Sequence, residues 1–330
     1  PKLPANRRPD HCCHQIKIIR ERLTVSYIPL KSLRKDELTR LILSMGEREF
    51  RTSQIWSWIY LRDAGTFDDM TNLSKQLRER LAEQTMLNSL RLIREETSAN
   101  TATRKFLFQL NDGHTIETVY IPEEKRHTVC ISTQVGCKLG CSICATGKIG
   151  FKRDLRSDEI VDQVLFVKKA IGRRPTNIVV MGMGEPFLNY EQTLKALYIL
   201  NDSDGLAIGA RKITLSTAGI IDHIYRYTKE EHPFRLAISL HATTDTIRSA
   251  LMPMNKRHPL DKLLAAAAHY TKKTSRRITF EYVLIKDVND SDEDITRLRS
   301  MLKNIPCKVN LIPYNDTGAG LSSPSHKEIE

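Results

Sequence analysis

The chain has 330 residues, 40% of them hydrophobic and 27% charged, and 51 Lys and Arg against 39 Asp and Glu give a formal net charge of +12. This composition is typical of a folded globular protein and excludes wholesale disorder. The sequence contains no apolar run long enough to span a membrane, and its N-terminus lacks the apolar core of a signal peptide, so we expect a cytoplasmic protein. The basic excess favours a polyanionic partner, most often a nucleic acid.

In the first third of the chain, predicted helices are followed by predicted strands. Residues 1–22 are expected to be a loosely ordered lead, and the apolar spacing over 23–98 is typical of a small helical accessory domain. A β-hairpin and linker are predicted over 99–126. There, Arg104–Leu110 and Thr115–Ile121 flank an Asn-Asp-Gly turn, which is a strong hairpin signal.

Residues 127–330 are predicted to form an α/β domain, because six apolar runs alternate with amphipathic stretches. The predicted strands are Thr128–Thr133, Asn177–Met181, Lys212–Ser216, Arg235–Leu240, Ile278–Ile285 and Lys308–Pro313. The predicted helices are Asp158–Ala170, Tyr190–Leu200, Ile221–Lys229, Leu260–Lys272 and Asp292–Leu302. Six βα units rather than eight indicate a partial (βα)6 barrel, with its chemistry at the carboxyl ends of the strands.

Three cysteines, Cys137, Cys141 and Cys144, form a CxxxCxxC motif soon after the first predicted strand. In a reducing compartment such crowding indicates a metal or catalytic site rather than disulfides. Three thiolates would leave one iron of a [4Fe-4S] cluster open to a substrate. A structural zinc site, which would need a fourth ligand, and buried structural cysteines are the alternatives. The segment from His11 to His14 is a weaker metal candidate, because its adjacent cysteines chelate one ion poorly.

Short segments that carry polar side chains also follow the other predicted strands. They are Gly184 and Glu185 after the second strand, Ser216 at the third, Ser239, Leu240 and His241 at the fourth, and Asn315 after the sixth. Each of them alone could be an ordinary strand-to-helix cap. Because parallel strands end at one edge of a sheet, together they predict a ring of polar groups around one ligand.

The CxxxCxxC motif combined with a Gly-Glu-Pro turn after the second strand resembles the radical S-adenosylmethionine (SAM) superfamily. Within it, five segments resemble the adenine-C2 RNA methyltransferases: Ile116–Pro122, Cys137–Leu155, Met181–Asn189, Leu251–Asn255 and Val309–Asn315. This resemblance implies a small N-terminal helical domain joined to a partial (βα)6 barrel. It also implies methylation of C2 of an adenine in 23S rRNA, and of the adenine 3′ of the anticodon in tRNA.

The resemblance implies individual roles as well. Cys137, Cys141 and Cys144 would hold the [4Fe-4S] cluster, whose open iron takes the amino and carboxylate groups of SAM before SAM is cleaved to a 5′-deoxyadenosyl radical. Seven residues match positions that contact SAM: Gly184, Glu185, Ser216, Ser239, Leu240, His241 and Asn315. Glu117 matches the acceptor of the C2 proton, although from the residues alone it would be a surface carboxylate.

Cys130 matches the cysteine whose transient disulfide releases the methylated RNA. Its partner in the family, a methyl-carrying cysteine near the C-terminus, has no counterpart in these 330 residues, and Cys307 does not match it. We therefore expect a truncated or carrier-less chain that binds and cleaves SAM. The implied partners are RNA and an electron donor such as flavodoxin with its reductase, and the implied oligomeric state is a monomer.

Three other activities stay open at this point. A sister group of enzymes methylates C8 of the same rRNA adenine and confers antibiotic resistance, but Pro186 resembles the C2 enzymes instead. A radical SAM activase acting on a protein, and a catalytically inactive RNA-binding remnant, are the other two. A basic cluster after the cysteine motif, comprising Lys148, Lys152, Arg153 and Arg156, is predicted to meet RNA phosphates.

Overall fold

The computed structural model describes residues 27–329, so the predicted lead over 1–22, with its segment from His11 to His14, lies outside the described residues. The strands are β1 Ile28–Pro29, β2 Thr85–Met86, β3 Leu90–Thr97, β4 Arg104–Leu110, β5 Thr115–Pro122, β6 His127–Cys130, β7 Gln134–Gly136, β8 Phe151–Asp154, β9 Asn177–Val180, β10 Ile213–Thr217, β11 Arg235–Ser239, β12 Ile278–Leu284 and β13 Cys307–Pro313. The α-helices are α1 Lys35–Ser44, α2 Phe50–Tyr60, α3 Lys75–Gln84, α4 Ala145–Ile149, α5 Ser157–Ile171, α6 Tyr190–Asn201, α7 Ile221–Lys229, α8 Asp245–Leu251, α9 Leu260–Thr274, α10 Asp292–Leu302 and α11 His326–Ile329.

The three N-terminal helices bury the apolar faces that their sequence periodicity predicts. Leu38 of α1, Ile55 of α2 and Leu77 of α3 are fully buried. Residues three and four apart on a helix share one face, so each helix presents an apolar stripe to the interior. These stripes belong to the same apolar core as the main sheet, so the helices pack against the rest of the molecule.

The main sheet has nine strands in the order β13-β12-β11-β10-β9-β6-β5-β4-β3. The six strands β6 and β9 to β13 run parallel to one another, whereas β5, β4 and β3 form an antiparallel extension that begins at β6. Strands β3 and β13 are the two edges, so the sheet is open. The α/β class and all six predicted parallel strands are confirmed.

The first parallel strand is shorter than the sequence predicts. It ends at Cys130 instead of Thr133, because the chain continues into β7, which pairs with β8 in a separate two-stranded sheet. The five predicted helices correspond to α5, α6, α7, α9 and α10, with ends shifted by at most two residues. No described helix is long and apolar enough to cross a membrane.

Candidate active site

A cavity of about 470 Å³ lies at the carboxyl ends of the parallel strands. Its volume is within the range of small-molecule sites, about 300–1,000 Å³. Nine of the ten residues predicted to bind the cluster or SAM line it: Cys137, Cys141, Cys144, Gly184, Glu185, Ser216, Ser239, His241 and Asn315. The tenth, Leu240, is fully buried next to this wall. The strand-end arrangement thus brings the predicted residues to one place.

The loop that carries the three cysteines is fixed at both ends by backbone pairing. Gly136 pairs with Phe151 at the base of the loop and has a φ of +75°, a conformation that favours glycine. A Cβ at this position would lie 1.6 Å from the carbonyl oxygen of Gly150. Further along, the N–H of Ser142 donates to the carbonyl of Leu251 at 3.0 Å, which ties the loop to the end of α8.

The three thiols suit an iron–sulfur cluster better than a single ion. All three line the cavity, yet no three Cys, His, Asp or Glu side chains within residues 27–329 are grouped to hold one metal ion. A cluster of several irons spreads its ligands over different metal atoms, so it accepts more widely spaced thiolates. Burial raises the pKa of Cys141 to about 12 and also raises that of Cys137, so metal binding there must release protons.

Glu185 joins two strand-end loops through its carboxylate. One carboxylate oxygen accepts the N–H of Ala218 at 2.8 Å and the other accepts the N–H of Phe187 at 3.1 Å. Burial raises the pKa of Glu185 to about 7, although these backbone hydrogen bonds oppose that rise. Both oxygens hold a backbone N–H group, so the carboxylate is fixed in orientation at the turn that lines the cavity.

His241 presents a neutral ring to the cavity. Its Nδ1 accepts the N–H of Val283 at 3.1 Å, and burial lowers its pKa to about 3. With Nδ1 acting as an acceptor, the ring proton lies on Nε2, which can donate to a ligand. The residue has a φ of +57°, and its carbonyl accepts from the Asn289 side chain at 2.7 Å, a bond that supports this uncommon backbone conformation.

Two of the predicted residues, Glu117 and Cys130, do not line this cavity. The Glu117 side chain is half-exposed on β5 and pairs with Lys105 at 3.3 Å, while its backbone N–H contacts the Met183 sulfur at 3.4 Å, beside the Gly184 turn. Cys130 is a free thiol on β6, and burial raises its pKa to about 11. Both strands lie next to the cavity, but neither side chain forms its wall.

The structure adds Glu281, a lining residue that the sequence reasoning missed. Strand pairing places Ser239, Glu281 and Asn310 at one level across β11, β12 and β13. Glu281 is only 7% exposed, and one of its oxygens accepts from the Asn310 amide at 2.7 Å. A charged residue inside the apolar strand Ile278–Leu284 was the signal that could have identified it.

The basic cluster predicted to meet RNA is largely neutralised. Arg153 pairs with Glu159 at 2.8 Å and also with Asp112, and Arg156 pairs with Asp158 at 2.8 Å. These two arginines therefore cap the start of α5 rather than offering free charge. Lys148 and Lys152 are exposed members of the cluster, and the Lys148 ammonium donates to a backbone carbonyl, that of Thr317.

Comparison with known proteins gives two family matches. Residues 131–298 match the radical SAM superfamily, and residues 28–87 match the ribosomal RNA large subunit methyltransferase N-terminal domain. The chain is 45% identical over 310 residues to the dual-specificity RNA methyltransferase RlmN of Anaeromyxobacter dehalogenans, a match that covers 91% of this chain and 83% of the relative. It is 46% identical over 300 residues to the probable dual-specificity RNA methyltransferase RlmN of Thermotoga neapolitana, covering 91% and 88%.

A solved structure agrees with these relatives. The crystal structure of a radical SAM methyltransferase from Sphaerobacter thermophilus is 44% identical to this chain and superposes with a TM-score of 0.88, over 92% of this chain and 90% of that one. The two family domains, the identity over most of the chain and the shared fold all indicate the same relationship. This chain belongs to the RlmN family of radical SAM RNA methyltransferases, which use a [4Fe-4S] cluster and SAM.

Proposed function

We propose that this protein methylates C2 of an adenine in 23S rRNA and of the adenine 3′ of the anticodon in tRNA. The observation that carries the proposal is the cavity in which the three thiols meet the Gly184–Glu185 turn and the polar ends of β10 and β11. Relatives named as dual-specificity RNA methyltransferases support the two classes of RNA. The chain's net charge of +12 is consistent with a polyanionic substrate.

In this proposal Cys137, Cys141 and Cys144 hold the cluster, and the strand-end residues hold SAM. Bound together, these groups supply carbon-radical chemistry, which suits adenine C2 because that electron-poor carbon cannot attack a methyl sulfonium as a nucleophile. The protein's own contribution is to bind and orient. The hydroxyls of Ser216 and Ser239 and the Nε2–H of His241 are available for a ribose or an adenine edge. The apolar lining limits the access of water.

Glu117 and Cys130 are proposed to act at the adenine. Glu117 would accept the C2 proton, and its ion pair with Lys105 at 3.3 Å would set the carboxylate's orientation. Because both side chains are half-exposed, an RNA phosphate can compete for Lys105 and leave Glu117 to the base. Cys130 would supply the resolving thiol that frees the methylated RNA, and it must lose its proton to do so.

The remaining assignments complete the proposal. We expect an electron donor such as flavodoxin with its reductase, a monomeric enzyme and a cytoplasmic location. Residues 23–98 would form a helical accessory domain whose last segment, strand β3, pairs with the main sheet. Residues 99–126 would form a hairpin and linker, and 127–330 the catalytic barrel. The family match over residues 28–87 supports the first of these units.

Nucleoside analysis tests the proposed activity. The complete coding region that contains these residues is expressed in a bacterium that lacks 2-methyladenosine, and digests of rRNA and tRNA are analysed by mass spectrometry. We expect 2-methyladenosine in both RNAs, and none with Cys141→Ala. Glu117→Gln should bind RNA normally yet form little product, whereas the control Glu124→Gln, in the turn after the hairpin, should be active. Production of 8-methyladenosine instead would contradict the C2 assignment.

A further inference from the structure

Arg248 on α8 is fully buried and joins the loops that face the cavity. Its guanidinium donates to the carbonyl of Ala218 at 2.8 Å, of Ser239 at 2.9 Å and of Leu240 at 3.0 Å. It also donates to the Asn255 side chain at 2.7 Å. One planar group therefore holds the chain after β10 and the chain at the end of β11 at a fixed separation.

The same helix also holds the cysteine loop. The carbonyl of Leu251 accepts the N–H of Ser142, and the carbonyl of Ala250 accepts its hydroxyl at 3.2 Å. Ser142 directly follows Cys141 in the sequence. Arg248 thus lies on the element that connects the cysteine loop to the strand-end loops, and a change at this residue would reach both halves of the site.

The Arg248 guanidinium has no carboxylate bonded to it among the described residues. Among the described residues it forms no salt bridge, and Asp245, on the same helix, accepts from Asn255 and from the backbone of Leu260 instead. A buried cation without an anionic partner is costly. The cysteine loop is hydrogen-bonded to the helix that carries this charge through Ser142, the residue next to Cys141, so a cluster held by the cysteines would lie beside a helix with a buried cation.

We propose that Arg248 is a positioning residue that aligns the two SAM-facing loops and supplies the fixed positive charge against which the iron–sulfur cluster is reduced. The inference rests on the proposed function, since it requires the cluster at the three cysteines. A nearby cation stabilises the more negative, reduced cluster, because net charge around a cluster sets its potential. Alignment and charge are separate contributions, so they can be measured separately.

The test compares Arg248→Lys with Arg248→Met in reconstituted protein. The midpoint potential is measured by redox titration monitored by electron paramagnetic resonance, and the Kd for SAM by anaerobic equilibrium dialysis. Arg248→Met should move the potential to a more negative value and raise the Kd at least about tenfold. Arg248→Lys keeps the charge but not the planar fork, so it should raise the Kd while leaving the potential close to that of the wild type.

Arg226→Met is the matched control. Arg226 lies on α7, where it pairs with Glu191 and Glu230 away from the cavity lining. Its replacement should therefore change neither the potential nor the Kd for SAM.

The outcomes separate the two roles of Arg248. A wild-type potential in Arg248→Met overturns the charge role, and a wild-type Kd in both Arg248 variants overturns the alignment role. If Arg248→Met binds no iron, Arg248→Gln is measured as a second neutral variant. Loss of iron in both neutral variants but not in Arg248→Lys supports the charge role, and loss in all three overturns it.

A failure of the proposed function gives a different result. If the cysteines held no cluster, the wild-type protein would have no potential to compare. If another carbon were methylated, nucleoside analysis would show it while the potentials and SAM binding of the variants could still be compared. A wild-type cluster with SAM binding, together with unaltered Arg248 variants, would instead overturn only this inference.

Discussion

At the scale of single residues, the cavity and the loops that support it combine groups that burial keeps neutral with groups that stay charged. His241 is neutral because burial lowers its pKa to about 3, whereas Arg248 stays charged with a pKa lowered to about 10. The two buried carboxylates differ in their bonding. Glu185 uses both oxygens on backbone N–H groups, while Glu281 has one oxygen bonded to Asn310. Glu281 is therefore the carboxylate better placed to accept from a bound ligand.

Replacing Glu281 should weaken SAM binding. Glu281→Ala removes a buried acceptor and leaves the Asn310 amide without its partner, so the Kd for SAM should rise about 10- to 100-fold. Equilibrium dialysis of the reconstituted protein measures it. Glu293→Ala, an exposed carboxylate on α10, is the control and should leave the Kd unchanged. A wild-type Kd in Glu281→Ala would show that Glu281 does not serve the ligand.

The raised pKa of Glu185 predicts a dependence of stability on pH. Because its folded pKa of about 7 exceeds the ordinary value of 4.5, its contribution is fully present below pH 4.5 and is lost as the pH rises through 7. A shift of this size corresponds to about 3 kcal/mol in the free energy of unfolding. Urea unfolding of the cluster-free protein across this range should show the loss in the wild type and not in Glu185→Gln. Parallel curves for the two proteins would refute the assignment.

At the scale of elements, the sequence predicts all six parallel strands but misses the exposed antiparallel strand β3. The parallel strands are continuous apolar runs, and that pattern distinguishes them. Strand β3 is not predicted, because Leu90–Thr97 is exposed along almost its whole length and carries no alternation of apolar residues. Helix α8 has only seven residues, too few to show a helical period, and Arg248 on it gives no local signal of its role.

The cysteine loop depends on the lack of a side chain at Gly136. In Gly136→Ala the new Cβ would collide with the backbone of Gly150, so the pairing of β7 with β8 must open and the cluster should be lost. Gly140→Ala is a matched control inside the same loop. Gly140 also has a positive φ, +61°, but nothing lies within 4 Å of its Cβ position, so only about 1 kcal/mol of backbone strain is expected. Iron and sulfide analysis should find a full cluster in Gly140→Ala only, and a full cluster in both would contradict this account.

At the scale of the whole molecule, the position of the site was easier to predict from the sequence than the charged surface around it. The strand-end residues were predictable, because parallel strands must end at one edge and polar residues follow them. The charged surface was less predictable, since a sequence does not show which arginines are paired. Arg153 and Arg156 looked like phosphate ligands, yet they bond the acidic start of α5.

Salt dependence tests the revised RNA surface. Lys148→Ala with Lys152→Ala removes two exposed charges beside the cysteine loop, so the slope of log affinity against log salt should fall by about 1.5 for a tRNA probe. Lys272→Ala with Lys273→Ala is the control. These residues lie at the end of α9, just before β12 begins. They are therefore near the amino-terminal ends of the parallel strands, opposite the cavity. An unchanged slope in the first variant, or an equal decrease in both variants, would show that Lys148 and Lys152 do not form the RNA-binding surface.

The central claim is that the cavity of the three cysteines is a radical SAM centre, and reductive cleavage of SAM tests it most directly. Anaerobically reconstituted protein is mixed with SAM and dithionite, and 5′-deoxyadenosine is quantified by mass spectrometry alongside iron, sulfide and zinc. We expect about four irons and four sulfides per chain with steady formation of 5′-deoxyadenosine, and neither in Cys141→Ala. Protein that carries stoichiometric zinc, binds no iron or sulfide and forms no 5′-deoxyadenosine would contradict the account.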